Sequence, residues 1–193
     1  MPRAWVLLTV FLLFTAACGG DPPDKELQQA QAAIDAAVAA GAELYAAQEL
    51  AAAEAALTRA GAAVSSRDYR LALNDALDSR QRAQNAAKLA ADGMAAARAE
   101  ADRTITRAAS GVEGMRTRLK SPEVPRLPAR TVTAVRASVA DADRHVQEAR
   151  AAFASGDYKA AQAAAGAANA ALSTATRNLE TATAAAAKRR SQP

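Results

Sequence analysis

Apolar side chains recur every three or four residues along most of this chain, and prolines confine that rhythm to two long stretches. Pro22 and Pro23 precede the first stretch, Pro122, Pro125 and Pro128 separate it from the second, and Pro193 follows the second. A proline inside a helix costs about 3 kcal/mol, so the proline-free stretches 24–121 and 129–192 are predicted to be helical. In the first, Leu27, Ile34, Val38 and Gly41 predict a helix over about 25–40, with Gly41 as its terminator. Leu50, Leu57 and Val64 fall seven apart, with Ala53 and Ala60 at the alternate positions, and predict a second helix over about 46–65. After Ser65-Ser66-Arg67-Asp68, Asp68 is a suitable N-cap for a third helix that opens at Tyr69 and runs toward Lys120. Its distal half carries the seam Ala101, Ile105, Ala108, Val112, Met115 and Leu119, with a kink expected at Gly111 and Gly114.

The second stretch has the most regular pattern. Val132, Val135, Val139, Ala142, Val146, Ala149 and Phe153 step by three and four, and so do Tyr158, Ala161, Ala165, Ala168, Leu172, Ala175, Leu179, Ala182 and Ala186. Only Ala154-Ser155-Gly156-Asp157 lies between the two rows, so the two helices must be antiparallel. The expected fold is all-α: elongated antiparallel hairpins forming stacked three-helix bundles with coiled-coil packing. The near half of the third helix packs with the first two, and its distal half, about 94–119, packs with the hairpin. A helix of that extent is about 75 Å long. The expected organisation is a signal segment (1–17), a tether (18–24), a three-helix domain (25–120), a proline-rich connector (121–128) and a helical hairpin (129–190).

A shift of 89 residues superimposes Leu50, Leu57, Val64, Ser66, Asp68, Tyr69 and Ala72 on Val139, Val146, Phe153, Ser155, Asp157, Tyr158 and Ala161. The same helix, Asp-Tyr turn and helix therefore occur twice. The segment Gly156–Ala161 resembles the turn of tetratricopeptide hairpins, but the 89-residue spacing does not fit an array of 34-residue repeats. The tyrosines are read as packing residues at the hairpin mouths.

Composition narrows the function. Of 193 residues, 59 are alanine, and past residue 14 the only aromatic rings are Tyr45, Tyr69, Phe153 and Tyr158. Alanine favours helix but buries little surface, so a bulky enzyme core is not expected. The N-terminus carries Arg3, an apolar run from Trp5 to Phe14 and then Thr15-Ala16-Ala17-Cys18. That run falls short of the roughly 20 residues a spanning helix needs, and small residues follow it, so 1–17 reads as a cleaved export signal. Phe14-Thr15-Ala16-Ala17-Cys18-Gly19-Gly20 resembles a bacterial lipoprotein box, with Thr15 where leucine is usual. The resemblance implies that Cys18 is lipidated and becomes the first residue of the mature chain. Gly19, in place of aspartate, implies transport to the outer membrane with the body facing the periplasm. Several acyl chains, at about 0.8 kcal/mol per buried methylene, hold a protein stably on a membrane.

Ala39 to Leu50, with Asp68-Tyr69 after the next helix, is similar to an uncharacterised Ala-rich family of bacterial envelope lipoproteins, a domain of unknown function. That family has a Tyr-Ala-Pro-x-Glu-Leu helix start and a Gly-Asp-Tyr turn. Here Ala47 and Gln48 stand where proline is expected, and Arg67 replaces the first glycine, while Gly156 restores it in the second turn. The resemblance covers roughly residues 25–105 and implies envelope residence and helical hairpins without a known reaction.

Residues 19–58 hold one basic side chain against seven acidic ones, and 59–120 hold twelve basic against seven acidic. The first two helices are therefore expected to complement the third in charge. The final Lys188-Arg189-Arg190 suits a helix C-terminus, and a second reading is contact with anionic lipid headgroups. Scattered cations without stacking aromatics do not fit nucleic-acid binding. His145, the one histidine, lacks the spacing of a zinc site and is read as a surface residue. Asp141 and Asp143, two apart on a helix, face different directions and do not make a carboxylate pair. Gly111-Val112-Glu113-Gly114 lacks the features of a phosphate loop, and no Gly-x-Ser-x-Gly is present. No catalytic residue, cofactor, metal or small-molecule substrate is assigned. The expected function is a structural or adaptor protein of the cell envelope, bound to the membrane through Cys18 and to envelope proteins or to itself. The alternative is a periplasmic module that binds peptides or unfolded clients.

Overall fold

The computed structural model describes residues 21–190; Cys18 and the expected signal segment 1–17 lie outside them. The fold is all-α, and helices account for 89 % of it. The helices are α1 (Asp24–Ala39), α2 (Ala42–Tyr45), α3 (Ala47–Ser65), α4 (Tyr69–Arg118), α5 (Ala129–Ala154) and α6 (Tyr158–Arg190), with a 3-10 turn at Val124–Arg126. The one-turn α2, which the hydrophobic periodicity does not mark, forms because Gly41 (φ 84°) turns the chain and accepts the backbone N–H groups of Leu44 and Tyr45. No helix among the described residues is long and apolar enough to cross a membrane.

The chain forms two compact units that divide within α4, between Gly93 and Met94. In the first, α1, α3 and the start of α4 surround a core built from methyl groups. Among the described residues before Gly93, the buried apolar side chains other than Pro23, Ile34 and Leu50 are all alanines. The seam of α1 is Ala30, Ile34 and Ala37, whereas Val38 is 39 % exposed, contrary to its expected place in the seam. In α3, Ala56 and Ala63 are buried while Leu57 and Val64 are only half-buried. The physical reason is the same in both helices. Along most of the line of closest approach there is room only for a methyl group, Ile34 and Leu50 excepted, so Val38, Leu57 and Val64 are displaced to the flank. Ser79 follows the same rule: fully buried, it donates its hydroxyl to the Ala53 carbonyl at 2.8 Å.

The second unit packs the rest of α4 against α5 and α6. Its seams are those of the heptads: Ala101 to Met115 on α4, Val132 to Ala149 on α5 and Ala161 to Leu179 on α6 are buried in sequence. The helix continues unbroken through Gly111 and Gly114. Gly111 serves packing: a Cβ there would lie 2.7 Å from Leu172 Cδ1. The proline segment also does more than connect helices. Val124 and Leu127 are buried in the same cluster as Met115, Val132 and Val135, so this segment closes one end of the bundle.

The internal repeat is visible atom by atom at the two turns. Asp68 and Asp157 donate their backbone N–H groups to Ala63 and Ala152, and Arg67 and Gly156 donate to Val64 and Phe153. These are the paired bonds of a Schellman helix end. Ser66 and Ser155 then donate their hydroxyls to the Ala63 and Ala152 carbonyls. Asp68 Oδ1 accepts from the Leu71 N–H and Asp157 Oδ1 from the Ala160 N–H, capping the next helix in both copies. The likeness extends beyond the hairpin. A 71-residue offset carries buried Ala30, Ile34 and Ala37 onto buried Ala101, Ile105 and Ala108, so each unit repeats the same three-helix plan, with a longer connection after the first helix in the second copy.

The repeat differs where the backbone requires φ > 0. Arg67 occupies this region at φ 62°, and Gly156 occupies it at φ 83°. A left-handed conformation costs an L-residue about 1–2 kcal/mol. Arg67→Gly is therefore expected to raise stability by about 0.5–1 kcal/mol and Gly156→Ala to lower it by about 1 kcal/mol or more, measured by urea denaturation. In the first unit's seam, Ala53→Leu is expected to cost about 1–3 kcal/mol by overpacking, and Ala55→Leu on the exposed face to stay within about 0.5 kcal/mol of wild type.

Candidate functional site

The ion pairs among the described residues run laterally, between helices or along one helix. In the first unit, Arg59 on α3 reaches Asp75 and Asp78 on α4 at 3.2 and 3.3 Å. Arg82 on α4 lies 3.9 Å from Glu49 on α3. Only the Arg82–Glu49 pair runs in the expected sense, acidic early helix to basic later helix. The closer Arg59 pairs run the other way, because register decides which charges meet and regional totals do not. In the second unit, Arg116 bridges from α4 to Asp143 on α5 at 3.0 Å, and Arg118 lies 3.7 Å from Glu180 on α6. The Gln162 side chain on α6 donates to the Ala97 carbonyl on α4 at 2.9 Å.

The other residues that the sequence brings forward resolve into surface chemistry. His145 sits on the flank of α5, its Nδ1 2.8 Å from Glu148 Oε2. Asp141 and Glu148 both bond Arg144, while Asp143 points to Arg116, so the two aspartates engage different partners. Among the described residues no group of His, Cys, Asp and Glu has the arrangement to hold a metal ion. The tyrosines pack: Tyr158 stacks edge-on against Phe153 with ring centroids 5.3 Å apart, and Tyr45 lies against Gly93, where a Cβ would meet its Cβ at 3.0 Å.

One end of the second unit is different. The end of α4, the 3-10 turn, the start of α5 and the end of α6 meet there, and three shallow open depressions share Leu127 as a lining residue. Lys120, Arg126, Arg136, Arg189 and Arg190 also line them, against a single carboxylate, Glu123. All five cations are exposed, and among the described residues none of the five is in an ion pair. The terminal cluster has the capping role expected of it in part: Arg189 Nε donates to the Ala185 carbonyl at 3.4 Å. Nothing in the sequence pattern marks Arg126 and Arg136, since each is an isolated cation far in sequence from Arg190.

No family model, curated protein or solved structure matches this chain.

Two exposed carboxyls elsewhere add a small acid dependence to stability. The Arg103 guanidinium bonded to Glu100, and the Arg144 guanidinium bonded to Asp141, hold both acids below their ordinary values. The unfolded chain then binds protons at a higher pH than the folded chain does. The stabilisation is present above the unfolded carboxyl range and is lost as pH falls through the lower folded values. Thermal unfolding followed from pH 6 to pH 2.5 is expected to show the melting temperature falling through this window. Glu100→Gln and Asp141→Asn should each flatten that fall.

Proposed function

We propose that this chain is a non-enzymatic lipoprotein of the bacterial cell envelope, anchored through Cys18 in the outer membrane and facing the periplasm, where it acts as a structural or adaptor protein. The observation that carries the reading is the run Phe14-Thr15-Ala16-Ala17-Cys18-Gly19-Gly20 directly after a short apolar segment. This arrangement suits signal cleavage before a single acylated cysteine.

The body of the chain supports the adaptor role. Its seams use small side chains, and its long helical faces carry exposed charge, such as Glu43, Arg70, Arg98 and Asp102, that is available to protein partners or to a second copy. In an oxidising compartment the chain also stays free of internal disulfides, since Cys18 is its only cysteine.

Intact-mass measurement of the protein extracted from membranes tests this reading. The expected mass begins at Cys18 and carries added acyl chains, and Cys18→Ser should carry none. A chain that retains residues 1–17, or one with an unmodified Cys18, would contradict the anchor.

A further inference from the structure

We infer that the basic end of the second unit docks on the surface of an anionic phospholipid bilayer. Within the envelope reading, this gives the adaptor a second, reversible membrane contact. Helix capping accounts for Lys120, Arg189 and Arg190, which lie at or beyond the C-terminal ends of α4 and α6, where cations are stabilising. It does not account for Arg126 or Arg136, nor for Arg130. Arg130 belongs to the first turn of α5, the positive end of a helix dipole, and that turn holds no acidic residue, while Arg136 lies about two turns further along the same helix.

Arg126 and Arg190 moreover line the same depressions. The fold therefore gathers mutually repelling like charges from four segments at one end of the unit. An external anion relieves that repulsion. Four of the five lining cations are arginines, whose planar forks match phosphate oxygens.

The geometry points to a surface more than to a compact anion or a polymer. The cations are spread around Leu127 over three shallow depressions and converge on no single pocket. No aromatic residue lines them to stack a base. The exposed large apolar residues, Val38, Leu44, Leu71, Leu77, Leu89 and Met94, all lie outside this end, so nothing there inserts into the hydrocarbon. Attraction is purely electrostatic and falls with salt.

Flotation of the full chain carrying Cys18→Ser, so that no acyl anchor contributes, tests the inference. Vesicles of phosphatidylcholine alone are compared with vesicles containing about one third phosphatidylglycerol. Any background from the apolar run Trp5–Phe14 is common to both vesicle types. Each cation near an anionic surface contributes about fivefold in partitioning. The expected preference for the anionic vesicles is at least about 25-fold, abolished by about 0.5 M salt and by Arg126→Glu/Arg190→Glu.

Arg126→Gln/Arg190→Gln should show a smaller loss. Arg70→Glu/Arg98→Glu, with the same change in net charge elsewhere, should keep the preference, and circular dichroism checks that each variant remains helical. Equal partitioning onto both vesicle types, or an equal loss in the Arg70/Arg98 variant, overturns the proposal. So does capture by soluble linear polyphosphate without capture by vesicles, which would assign the site to an anionic polymer. Because acylation is absent throughout, failure here leaves the Cys18 reading to its own mass measurement.

Discussion

Contact between methyl groups on neighbouring helices constrains the rest of this molecule. An alanine buries little surface, and its dispersion contacts amount to about 0.1–0.2 kcal/mol per atom pair. A seam of alanines therefore holds only when the helices approach closely along many turns. A methyl group cannot rotate to fill a gap as leucine or methionine can. The buried Ser79 hydroxyl reaching the Ala53 carbonyl illustrates the resulting closeness, since that bond requires a side chain of one helix to touch the backbone of another. Fixed register becomes essential, and the two Schellman turns with their aspartate caps supply it, each ending one helix and starting the next within three residues.

The two units solve the same packing problem with different materials. The first relies almost wholly on alanine. The second admits valine, isoleucine, leucine and methionine, and it makes room by reducing a partner, as Gly111 does for Leu172. The 71- and 89-residue offsets relate Gly111 and Leu172 to Ala40 and Ala83; Ala83 is buried in the first unit's core, and Ala40 packs against it partly buried. A small-plus-large pair in one copy thus corresponds to two alanines in the other. Glycine plus leucine is bulkier than two alanines, so the second copy fills this contact more heavily while the helix plan repeats.

How much of this was legible in the sequence depended on side-chain size. Where the seam residues are valine, leucine or isoleucine, as along α5 and the distal part of α4, the heptads named the buried face residue by residue. Where alanine fills both the seam and the surface, hydrophobicity does not distinguish them. Val38 and Leu57 then drew attention to a flank, while Ala37 and Ala56 held the core. The turn at Asp157 was legible because Gly156 announces a positive φ, whereas Arg67 adopts the same conformation without such a mark. The basic end was legible only in its last three residues. Arg126 and Arg136 join it through the fold of the proline segment, which brings Leu127 into the core and leaves its neighbours facing outward. That burial depends on tertiary packing that no local pattern encodes.

The close approach of alanine-lined helices is most directly tested by nuclear Overhauser measurements between α3 and α4 in the first unit. Strong cross-peaks are predicted between the Ala53 α-proton and the Ser79 β-protons, together with contacts among the methyl groups of Ala53, Ala83 and Ala86. Cross-peaks that instead link Leu57 and Val64 across the interface, with none between Ala53 and Ser79, would place larger side chains on the line of contact and contradict the methyl-lined seam.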